Sequence, residues 1–179
     1  MKTLLSLLKY IIGMIAALIL HIGAAYVLPY PYAYVNALFA ILILFLLLSE
    51  NGAVVWMAFC ALFIVELYAT SAPFGAHLFA GTISMLLGYW LYQYMLTNRS
   101  WYSGIALTVM VLAMYRLLYS AVILARQMFG SAAALPWPQL AASFAWELAL
   151  TSFVVGIASL IFFKSGFTRP ARRRGVFSL

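Results

Sequence analysis

Three ionisable side chains stand where ionisable side chains are costly. Glu66, Arg116 and Glu147 each lie inside a long apolar stretch, and His21 is a fourth polar group of the same kind. An acid or arginine at the centre of a membrane helix costs about 2.5–3.5 kcal/mol on insertion scales. Such groups therefore face a protein interior or a wet cavity and find partners there. Two carboxylates and a guanidinium offer acid–base chemistry, anion or proton handling, or a purely structural ion pair. Nothing else in the sequence extends the set toward catalysis. There is no glycine-rich phosphate loop, HExxH, CxxC or GxSxG. Two histidines and one cysteine, Cys60, are scattered over different elements, which argues against a metal site and excludes an internal disulfide. The expectation is a chain that is not an enzyme and carries no cofactor and no metal.

Composition says what must position these groups. Of 179 residues, 68% are hydrophobic and 7% charged, and the mean hydropathy is +1.09. A soluble domain carries about 25% charged residues, so lipid is the expected solvent. The net charge of +7 does not point to nucleic acid, because the basic residues sit at segment ends and in the C-terminal tail, where membrane topology accounts for them.

A spanning helix takes about 20 apolar residues, and six candidates are present: 10–28, 33–49, 53–70, 76–96, 103–127 and 140–163. The fold class expected is all-α, a polytopic bundle of six transmembrane helices over 1–163 with a basic cytoplasmic tail over 164–179. The breaks have physical causes. Leu28-Pro-Tyr-Pro-Tyr32 cannot continue a helix, and Ser49-Glu-Asn-Gly52 is a polar reversal ending in glycine. Thr70–Gly75 is the central turn, with Pro73 and Gly75. Thr97–Ser100 is the next turn. Pro136 and Pro138 are expected to stop any helix before Leu140. The N-terminal segment is nearer a full span than a signal-peptide core and is read as an uncleaved anchor. With six spans, Lys2, Lys9, Arg99 and the basic residues from Lys164 to Arg174 share one side, so the positive-inside rule places both termini in the cytoplasm. Tyrosines at 26–34 and aromatics at 89–102 fit two interfacial belts.

Depth brings the charges together. Glu66 is 13 residues after Ala53 and Arg116 is 13 after Ser103, about 20 Å along parallel spans. Glu147, on a span of opposite direction, reaches a similar height. Arg116 is therefore expected to pair with Glu66, Glu147 or both, as a structural cluster or as one that binds a partner or ligand. On the fourth span His77, Gly81, Ser84 and Gly88 recur on one helical face, a stripe suited to close helix packing. Ser143, Glu147 and Thr151 share a face of the sixth span, and Arg116 and Ser120 a face of the fifth. His21 reads as a satisfied core histidine and His77 as an interfacial one.

At the central stretch the chain resembles the MreD family of bacterial rod shape-determining membrane proteins. The residues that carry the resemblance are Glu66-Leu-Tyr-Ala-Thr-Ser-Ala-Pro-Phe-Gly-Ala-His-Leu78, an acid-terminated span followed by small residues, proline and glycine. Val35-Asn-Ala-Leu-Phe-Ala-Ile-Leu-Ile-Leu44 is similar to that family's second span. The chain departs from the family in having Glu66 where aspartate is usual and Arg116 where an acid is frequent. The resemblance implies a six-helix bundle similar to the substrate-binding subunits of energy-coupling-factor transporters. It also implies a non-enzymatic scaffold in the cell-elongation machinery of the inner membrane, beside an MreC-like bitopic protein and peptidoglycan synthases. The alternative is a small-molecule-binding subunit of a transporter of that type.

Overall fold

The computed structural model describes residues 2–68, 73–96, 101–129 and 137–164, and among these it is all-helical, without strands. Six α-helices follow in order: α1 Lys2–Val27, α2 Ala37–Ser49, α3 Ala53–Tyr68, α4 Ala76–Tyr94, α5 Trp101–Phe129 and α6 Trp137–Lys164. A short 3₁₀ turn, Tyr32–Tyr34, lies between α1 and α2. Three helices are long and apolar enough to cross a membrane, over Leu8–Val27, Trp101–Met128 and Trp137–Phe162; Ala37–Ser49 and Ala53–Tyr68 are shorter apolar helices.

α2 is the centre of the bundle. Its sequence, ALFAILILFLLLS, is apolar all round, the pattern of a helix with no face to water. It touches α1, α3, α5 and α6 and buries Leu38, Phe39, Leu42, Ile43 and Leu46 almost completely. Around it α3, α4, α5 and α6 pack in series, each against the next. The small residues of α4 allow this. A Cβ at Gly81 would run into the Leu62 side chain of α3, and one at Gly88 into Val111 of α5. The stripe thus faces two helices in turn. Ser84, also fully buried, returns its hydroxyl to the Ala80 carbonyl at 2.5 Å. Large apolar side chains point outward along the whole bundle, among them Ile12, Ile19, Trp56, Phe79, Leu117 and Phe153, as a lipid solvent requires.

Several boundaries differ from the sequence expectation. α2 begins at Ala37 instead of Ala33, because Tyr32–Tyr34 form the 3₁₀ turn and Asn36 caps the helix, its Oδ1 accepting from the Phe39 N–H at 3.2 Å. Asparagine is among the best helix N-caps. α2 ends at Ser49, and Glu50, its C-cap, takes the left-handed conformation of that reversal at φ +53°. α1 and α5 each extend beyond the apolar core by which they were bounded. α6 begins at Trp137 and carries Pro138 in its first turn, contrary to the expected start at Leu140. A proline there breaks nothing, since first-turn N–H groups have no intrahelical acceptor. Lys164 belongs to α6, so the expected tail loses its first residue; 165–179, the Thr97–Ser100 turn, 70–72 of the central turn and 130–136 of the last connection lie outside the described residues.

Candidate functional site

The buried charges do meet partners, in two separate arrangements. The first joins α2, α5 and α6. Glu147, on α6 and 3% exposed, receives the Asn36 side-chain amide on Oε1 at 2.7 Å. Its Oε2 receives Arg116 Nε from α5 at 2.6 Å, and Arg116 Nη2 closes the ion pair on the same oxygen. One turn further along α6, the Thr151 hydroxyl accepts the Asn36 backbone N–H at 3.0 Å. Asn36 therefore caps its own helix and ties it to α6 through two bonds. The expected face Ser143–Glu147–Thr151 joins the network at its last two positions; Ser143 donates to the Leu140 carbonyl of its own helix, at 2.9 Å.

The second arrangement joins α3 to α4. Glu66, 2% exposed, accepts the Gly75 N–H on Oε1 and the Leu78 N–H on Oε2, both at 2.9 Å. A helix N-terminus leaves four backbone donors without intrahelical acceptors and carries positive partial charge. Glu66 thus serves as a cap for α4 supplied by the neighbouring helix. Of the alternatives the sequence left open, Arg116 pairs with Glu147, and Glu66 takes backbone donors instead. Matching depth along parallel helices did not reveal that α4 offers an acid on α3 its own donors. The turn that delivers them depends on Gly75, whose φ of +91° is a conformation that side chains rarely adopt, and on Pro73, whose carbonyl accepts the Ala76 N–H at 3.1 Å.

Between the two arrangements stand aromatic groups that the sequence reading missed. Tyr115, 7% exposed, packs on Phe39 with ring centroids 4.9 Å apart. Its hydroxyl lies 2.8 Å from His77 Nδ1, and the His77 ring stacks on Tyr119 at 4.7 Å. His77 is accordingly a half-buried member of the α4–α5 contact. His21 departs from expectation: its Nδ1 is buried with no hydrogen-bond partner among the described residues. The signal for Asn36 was available, a capping residue at the head of an apolar run. Tyr115 precedes Arg116 directly, but nothing in its spacing marked it.

Beside the first arrangement a cleft of about 360 Å³ opens between α5 and α6. Arg116, Tyr119 and Ser120 contribute its polar side, and Ala113, Leu117, Ile123, Trp137, Leu140, Ala141 and Phe144 complete an otherwise apolar lining. Among the described residues no three histidine, cysteine or acidic side chains gather in a way that would hold a metal ion. The chain matches no protein-family model, no curated protein and no solved structure.

Proposed function

We propose that this chain is a non-enzymatic scaffold of the bacterial cell-wall elongation machinery, a multi-pass protein of the inner membrane with six spans and both termini in the cytoplasm. The observation that carries the reading is the engagement of both buried carboxylates. Each oxygen of Glu66 and of Glu147 accepts a hydrogen bond from within the bundle. A general acid or base has to offer a proton or lone pair to substrate, and here those positions hold α3 to α4 and α2 to α5 and α6. The resemblance of 66–78 and 35–44 to the MreD family supplies the cell-shape context, and the one-sided distribution of Lys2, Lys9, Arg99 and Lys164–Arg174 supplies the orientation.

A second reading, a small-molecule-binding membrane subunit of an energy-coupling-factor transporter, is favoured by one observation, the cleft beside Arg116. A mild-detergent pull-down of tagged protein from native membranes separates the two, with proteins and small molecules both identified by mass spectrometry. The scaffold reading expects an MreC-like bitopic protein or a peptidoglycan synthase, and rounding of the cells on deletion. Recovery of ATPase subunits, with neither of those partners, overturns it.

A further inference from the structure

Beside the cleft between α5 and α6, Arg116 has donor capacity that the described residues do not consume. The cleft volume, about 360 Å³, lies within the roughly 300–1,000 Å³ of small-molecule sites. A guanidinium carries five N–H donors in a rigid fork. Glu147 engages Arg116 through Nε and Nη2, and Arg116 lines the cleft with its side chain 27% exposed. Ser120, one turn on, lines the same wall. Ile123, seven residues beyond Arg116 and so about 10 Å along the helix, faces an apolar length closed on the other side by Leu140 and Phe144.

The charge balance decides what kind of head fits. Glu147 already neutralises Arg116, so the wall offers hydrogen-bond donors without net positive charge. An anion placed there would stand beside the Glu147 carboxylate in an apolar surrounding, where an uncompensated charge is costly. A neutral acceptor meets the free N–H groups without that cost. We propose that the cleft binds a small, uncharged, mainly apolar molecule bearing a carbonyl acceptor. The oxygen sits on the unengaged Arg116 N–H groups and the apolar body lies along Ile123, Leu140 and Phe144. Scaffolding does not require this site, so the proposal stands apart from the function proposed above.

The test uses the full-length protein in phosphatidylcholine nanodiscs and a diazirine-bearing methyl decanoate as the photoprobe. Labelled peptides are mapped by mass spectrometry, and labelling is competed with methyl decanoate, decanoate and undecane, which share a chain and differ in the head. The expected result is labelling concentrated on 113–123 and 137–144, with methyl decanoate competing about tenfold better than either decanoate or undecane, the size of a hydrogen bond to a charged donor. Ala141→Phe, which takes up cleft volume from the α6 side, should lower the labelling about tenfold. Labelling spread evenly over the helices overturns the site. Equal competition by undecane overturns the acceptor, and stronger competition by decanoate overturns the neutral head. The competition series needs only the wild-type chain, so the proposal stays testable even if Ala141→Phe fails to fold.

Discussion

A double-mutant cycle on Arg116 and Glu147 tests the reading of the buried charges most directly. Arg116→Met leaves the Glu147 carboxylate, 3% exposed, with Asn36 as its remaining hydrogen-bond donor among the described residues. Glu147→Gln keeps an oxygen for Asn36 but turns an amide donor toward the Arg116 donors. Removing one partner of a fully buried pair costs about 3–5 kcal/mol. Arg116 is 27% exposed and borders the cleft, which relaxes the penalty, so each single change should cost about 2 kcal/mol. The double variant leaves a neutral Gln–Asn pair under a methionine of similar bulk and should cost about 1 kcal/mol. The coupling is then about 3 kcal/mol. Reversible unfolding in mixed micelles reads these differences. The same cycle on Glu66→Gln and Arg116→Met should be additive to within about 0.5 kcal/mol, because Glu66 bonds to the α4 backbone and not to arginine. A coupling under about 0.5 kcal/mol for Arg116 and Glu147, or an equal coupling for Glu66 and Arg116, would refute the assignment of partners.

Four further outcomes follow. Glu66→Gln places an amide against one of two part-buried N–H donors and should cost about 1–3 kcal/mol, seen as faster hydrogen exchange in the first turn of α4 relative to α5. Gly75→Ala has open space around it but a φ of +91°, so it should destabilise by about 1–3 kcal/mol through backbone strain alone, with unchanged packing by tryptophan fluorescence. Gly88→Ala should cost more than Gly81→Ala in the same unfolding assay. The Cβ at 88 meets β-branched Val111, whose χ1 is stiff, while the one at 81 meets the end of Leu62. Reporter fusions at the two termini should both read cytoplasmic; opposite sides would leave an odd number of spans and remove the six-span topology.

How much of this was legible beforehand depended on whether the signal was one-dimensional. The helices were, because apolar length and the Pro, Gly and polar breaks are properties of a single segment. The boundary errors came from residues with two local roles. Asn36 looked like the interior of a span and is its cap, and Pro138 looked like a stop and sits in a first turn where its missing N–H is not needed. The pairing of charges was legible only as far as depth allowed. Depth placed Glu66, Arg116 and Glu147 at one level, and two of the three do pair. Which two depends on rotation of α3 and on the path of the Pro73–Gly75 turn, which brings the α4 amides onto Glu66. Neither quantity is written in spacing along one helix. The same holds for Tyr115, His77 and the α5–α6 cleft, each made by facing surfaces of helices whose relative rotation only the assembled bundle defines.

That division explains why a chain so rich in leucine and isoleucine keeps costly polar groups at all. In lipid, apolar packing hardly distinguishes one rotation or sliding position of a helix from another, because lipid tails are as apolar as the side chains they replace. α2 is the extreme case, apolar on every face. A helix of that kind has no sided pattern by which to choose a neighbour. Asn36 gives it one, since the bonds to Glu147 and Thr151 are satisfied in a single position of α2 against α6, and Arg116 extends the same constraint to α5. Replacing Asn36 by leucine should accordingly do something other than lower stability. It should remove the side-chain bond to Glu147 and the cap bond from the Phe39 N–H, a loss of about 1–3 kcal/mol, while the backbone bond to Thr151 stays, and it should also broaden the position of α2. Cross-linking yield between cysteines introduced at the facing ends of α2 and α6 should spread over neighbouring pairs instead of peaking at one. A single sharp maximum in the Asn36→Leu protein would mean that packing of Leu38, Leu42 and Ile43 specifies α2 unaided, and the polar network would lose its role as the register device of the bundle.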